Sequence, residues 1–170
     1  MTRVLWVLAV LSVAGLPLQA DSEAVFKAPT TPEQRLRVAA EIHKLEATPL
    51  NDDTKVPRVA IFQWVVESPD IQLKWCADIL VDVSKEQEDR WGGLLVQAIL
   101  SAAAFVIENP SEEKNDLLVA RAGVRGALQT YQATLAAQPQ PRSAFFDSLV
   151  AADAAGKLDD YIAPKVSACK

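Results

Sequence analysis

The chain is poor in the residues that carry most enzyme chemistry. Its 170 residues include one histidine, two cysteines, one methionine and six glycines. With a single histidine there is no paired-histidine zinc site and no zinc-ligand spacing. No nucleophile stands in a motif with a base, and no glycine-rich stretch has the form of a phosphate-cradling loop. Positive charge is also short. Seventeen Lys and Arg face 22 Asp and Glu, a net charge of -5, which repels nucleic acid phosphates and anionic lipid. Nucleic acid and membrane surfaces are therefore excluded as expected partners, no cofactor or metal is called for, and an enzyme is the less favoured class.

Long hydrophobic runs are scarce too, and the first lies at the N-terminus. Arg3 precedes the uncharged run Val4 to Leu16, and Leu18-Gln19-Ala20 leads to acidic Asp21. Charge, apolar core and small-residue exit are the pattern of a secretory signal. The expected organisation is a signal peptide over 1–20, a flexible lead-in over 21–30 and one domain over 31–170. No cysteine follows the expected cut, so the mature chain is expected free in the periplasm or outside the cell. About 150 residues remain after cleavage, enough for one core and short of two.

Cys76 and Cys169 are an even pair in a chain expected to be exported, which predicts one disulfide. It closes a loop of roughly 94 residues, worth about 4 to 5 kcal/mol if it acts by restricting the unfolded chain.

Helix signals dominate the remainder. "TTPEQ" offers Thr31 as N-cap, Pro32 in the first turn and Gln34 three residues after the cap. A second helix is predicted after "NDD", capped by Asp53 or Thr54 with Pro57 in its first turn, and its apolar run Val59 to Val66 predicts a central position. From Asp70 to Ser84 the pattern changes from alternation at Ile71, Leu73 and Trp75 to helical spacing, which predicts an extended entry and a short helix from about Trp75.

Ser84 and Gln87 then open the second long apolar run, "WGGLLVQAILSAAAFVIENP". Its uncharged stretch from Gly92 to Ile107 spans roughly 24 Å as helix, against about 30 Å of bilayer hydrocarbon. It is predicted as the core helix of a bundle. Ser111 with Glu112 and Glu113 predicts the start of the next helix, which runs to about Ala137, and small residues on both helices predict a closely packed hairpin. Ser143 caps a fifth helix closed by Gly156, and "KLDDYIAPKVSACK" adds a final turn or two. The fold class is all-α, a single bundle of about six helices with antiparallel hairpins around two strongly apolar ones.

"ALQTYQATLAAQP" resembles the second helix of a tetratricopeptide repeat through Ala127, Tyr131 and Pro139. The resemblance covers about 13 residues. Pro110 and Pro139 stand 29 apart rather than the roughly 34 of that repeat, and the first-helix signature is absent. A generic helical hairpin accounts for the same residues.

Three features could carry function. His43 alone titrates near neutrality, and beside small residues on its helix it reads as structural. Asp78, Asp82, Glu86 and Asp89, and again Glu112, Glu113 and Asp116, form acidic rows that read as solvated faces, since calcium needs six to eight oxygens arranged by a loop. Trp75 and Trp91, with Gln97, are the candidate contact surface or pocket rim, because large aromatics anchor cores and interfaces alike. The expected function is a non-enzymatic exported domain that binds a protein or peptide, as an adaptor, inhibitor or chaperone-like factor, and an acidic surface favours a basic partner. The rival expectation is a small apolar ligand carrier, or an unfamiliar enzyme, with a pocket between the central helices.

Overall fold

Among the described residues six helices follow one another in the computed structural model, and their starts show why these residues are helical. The structure describes residues 30–80, 85–138 and 141–169, with the side chains of 85–90 left aside. The expected signal peptide, the lead-in before Thr30 and the Ser84–Gln87 capping pair lie outside what is described.

Helix α1, Pro32–Glu46, opens on the expected reciprocal cap between Thr31 and Gln34. Helix α2, Asp52–Glu67, starts earlier than the pattern predicts. Asn51 is the cap, exchanging hydrogen bonds with Thr54, so Pro57 falls inside the helix rather than in its first turn. Asn is among the strongest capping residues, and here its side chain reaches the Thr54 N–H at 2.9 Å.

Residues 71–76 run extended into a single 3-10 turn, Ala77–Ile79, and no strand occurs among the described residues. Helix α3, Lys85–Glu108, stops before Asn109-Pro110 as expected. Helix α4, Asp116–Ala137, starts five residues after Ser111, because Pro110–Glu112 forms a separate 3-10 turn and Asn115 is the cap. Helix α5, Ala144–Ala154, is capped by Ser143, and Gly156 ends the segment at φ 69°, a left-handed conformation that glycine adopts without penalty. Helix α6, Leu158–Ala168, is longer than the expected turn or two.

Helices α3 and α4 form the central hairpin, with α1 and α2 packed on α3, and α5 and α6 on α4. Two glycines on α4 set the closeness of this hairpin. A Cβ at Gly123 would lie 2.6 Å from the Ala98 carbonyl oxygen and 2.6 Å from Trp75 Cζ3, and one at Gly126 would overlap the Ser101 side chain. Trp91 of α3 meets Tyr131 of α4 and Phe146 of α5 edge-on, with Trp91 to Tyr131 ring centroids 4.8 Å apart, and the Tyr131 and Phe146 rings are tilted by 33°. The Cys76–Cys169 disulfide ties the irregular segment to the chain end, with the two Cα atoms 5.9 Å apart.

One expectation is reversed. Helix α3 is interior, while α2 lies at the edge, with Val56, Val59 and Val66 exposed at 73%, 51% and 66%. Apolar residues around the whole of α2 fit a central helix, but α3 takes that place, with α1, α2 and α4 packed on it. By length and composition the window Trp91–Glu108 is apolar enough to cross a membrane, and 56% of it is buried within the fold.

Candidate functional site

The three tryptophan and glutamine positions singled out by sequence do not come together at a surface. Trp91 is 1% exposed and fills the aromatic cluster on the α4 and α5 side. Gln97 is fully buried, accepting from Arg58 Nε at 3.0 Å and donating to Ser101 Oγ at 3.1 Å. Trp75 is half-buried, with its ring laid against the bare backbone of Gly123. Helical geometry explains the outcome for Trp91, since a residue one position from Gly92 is turned by about 100° from it and so can face inward while Gly92 faces out.

A cleft does lie beside Gly92 and Gly93, on the opposite side of α3. Leu50, Val59 and Val96 form its apolar walls, the two glycines its floor, and Lys55 and Arg58 border it, enclosing about 380 Å³. A Cβ at Gly92 would meet nothing within 4 Å, so this position opens directly into the cleft. Val59 is itself 51% exposed, and Val56 and Val66 of α2 and Leu95 of α3 are exposed too. A larger depression, about 520 Å³, lies over residues 71–74 and 113–116, but its wall includes Lys74, Glu113, Lys114 and Asp116, and Lys74 is paired with Asp116 at 3.1 Å.

Arg58 holds the first cleft in shape, a role no local motif announces. It is 3% exposed, and its N–H groups reach the carbonyls of Leu45 at 2.7 Å, Thr48 at 2.9 Å and Thr54 at 3.3 Å as well as Gln97. These include carbonyls at and just past the C-terminal end of α1, which lack helical partners and carry partial negative charge. Burial pulls the guanidinium pKa below its ordinary value. With its donors occupied, Arg58 shapes the cleft wall rather than offering hydrogen bonds to a guest.

Among the described residues no group of three His, Cys, Asp or Glu could hold a metal ion. Asp78 is exposed, and Glu112 accepts from Asn115 at 3.2 Å. Asp82, Glu86 and Asp89 lie where side chains are not described. Comparison with family models, with curated proteins and with solved structures gave no match.

Proposed function

We propose that this chain is an exported, non-enzymatic helical module that binds a helical segment of another protein across the outer face of α2 and α3. The observation that carries the reading is the apolar surface left in solvent at Val56, Val59, Val66 and Leu95 around the cleft. Exposed apolar side chains beside a cleft are a feature of interaction sites, and an amphipathic helix laid into a groove is a recurring way to cover them. A cleft of about 380 Å³ accommodates one large aliphatic or aromatic anchor from the partner.

Charge points to a cationic partner. Asp52 and Asp53 stand at one end of the exposed valines and Glu67 at the other, against Lys55 on the same face. The whole chain carries -5. Export is supported by the leader pattern and by the disulfide, which persists in oxidising compartments.

A small apolar ligand is the second reading, favoured by the cleft volume, which falls within the roughly 300 to 1,000 Å³ of small-molecule sites. The test is fluorescence anisotropy with a labelled leucine and lysine amphipathic helical peptide, beside a leucine and glutamate counterpart. The cationic peptide is expected to bind, to weaken at higher salt, and to lose at least about tenfold in affinity with Val59→Asp, an exposed substitution that spares the core. Equal binding to wild type and Val59→Asp would remove this face from consideration. Failure of both peptides, with a small apolar dye still taken up by the cleft, would move the assignment to the ligand reading.

A further inference from the structure

His43 stands near the end of α1 with its two ring nitrogens turned to different carboxylates. Nδ1 is 2.8 Å from Glu46 Oε2 on the same helix, and Nε2 is 3.0 Å and 3.1 Å from the two oxygens of Glu108. A neutral imidazole has one N–H and one lone pair, whereas the charged form donates from both nitrogens. Only imidazolium satisfies both contacts. Neutral, it would set a lone pair against one of the two carboxylates.

The surroundings sharpen that demand. The Glu46 side chain is 11% exposed against 45% for His43, and among the described residues no other hydrogen bond or ion pair reaches the Glu46 carboxylate, the Thr130 hydroxyl donating to the Glu46 backbone carbonyl instead. Glu46 and Glu108 are the final residues of α1 and α3, where helix carbonyls already concentrate partial negative charge. Other charges nearby are engaged elsewhere. Arg125 of α4 lines one depression with His43, Glu46 and Glu108 but pairs with Asp153 of α5 at 2.8 Å, and Lys44 pairs with Glu41 at 2.6 Å.

We propose that His43 is a proton-operated clamp, fastening the end of α1 to the end of α3 when its imidazole is charged and releasing it when neutral. Partial burial works against the charged form, but the hydrogen bonds it donates to Glu46 and then Glu108 outweigh that, leaving the His43 pKa raised above 6.5. The sign follows from linkage. A raised folded-state pKa makes the clamp's contribution complete below about 6.5, the value for an unperturbed histidine, and removes it as pH climbs through the higher folded value. This lies in the range where extracellular compartments differ in acidity, and it does not depend on what the outer face of α2 binds.

The chain has a single histidine, so an NMR pH titration of the untagged protein follows one imidazole. The expected midpoint in the folded protein lies above 6.5, and it falls in both Glu46→Gln and Glu108→Gln. Glu108 is 39% exposed in its side chain, so its variant keeps the test open should the buried Glu46 change impair folding. Urea unfolding gives the second readout. Wild type is expected to lose stability between about pH 6 and about pH 8, with that loss diminished in His43→Gln. A His43 midpoint at or below 6.5, one unmoved by the Glu108 substitution, or an unchanged pH slope in His43→Gln would overturn the clamp.

Discussion

Replacing glycine by alanine at two helical positions is predicted to have opposite effects in this protein. Within a helix the exchange favours alanine by about 1 kcal/mol, because glycine loses more backbone freedom on folding. At Gly92 that gain should appear almost undiminished, since a methyl group there would meet nothing within 4 Å. At Gly123 the methyl would press 2.6 Å from the Ala98 carbonyl oxygen and 2.6 Å from the Trp75 ring. The carbonyl is part of the α3 backbone and cannot swing aside, so α3 and α4 must separate. Overpacking of this type costs roughly 1 to 3 kcal/mol, and an interface running the length of two long helices places it towards the upper end. Net of the helix gain, Gly123→Ala should destabilise by about 1 to 2 kcal/mol and Gly92→Ala should stabilise by about 0.5 to 1 kcal/mol. The two variants should therefore differ by about 1.5 to 3 kcal/mol, or about 1 to 2 M in urea midpoint for a slope near 1.5 kcal/mol/M. Urea titration followed by far-UV circular dichroism measures this directly. A Gly123→Ala midpoint equal to or above wild type would refute the close approach of the two helices.

Other perturbations test the remaining supports of the fold. Replacing Cys76 and Cys169 together by serine should lower stability by about 2 to 5 kcal/mol, read as the difference in urea midpoint between the variant and the oxidised protein. Arg58→Met should cost about 3 to 5 kcal/mol, because the Leu45 and Thr48 carbonyls and Gln97 would lose partners inside the fold; calorimetry that finds less than 1 kcal/mol would show that water replaces them without penalty.

Much of the helical outline was legible in the chain because helix starts are short-range events. Thr31 with Gln34, Ser143 before its helix and Gly156 after it act over three or four residues, and each behaves as its sequence context predicts. The misplaced starts have local causes of the same kind. Asn51 and Asn115 outcompeted the neighbours expected to cap, and Pro110 diverted its segment into a 3-10 turn. The candidate site was less legible. The cleft opens beside Gly92 and Gly93, whereas Trp91 next to them, the residue singled out by sequence, points into the opposite side of α3. No local signal marked Arg58, whose buried partners lie as far as 39 residues along the chain, or the His43 contact with Glu108 across 65 residues.

By itself the sequence determined the all-α class, the central apolar helix, the close hairpin and the pairing of Cys76 with Cys169. Each follows from periodicity, capping, side-chain size or cysteine count, which act locally or by elimination. Only the tertiary structure decided that α2 keeps valines in solvent while α3 is enclosed, that Trp91 is core, and that Arg58 and His43 each bind groups from more than one element. Burial is shared among helices that compete for the same interior, and an apolar face records only that it is able to be covered. Which faces are covered depends on the shapes and charges that distant helices bring to them.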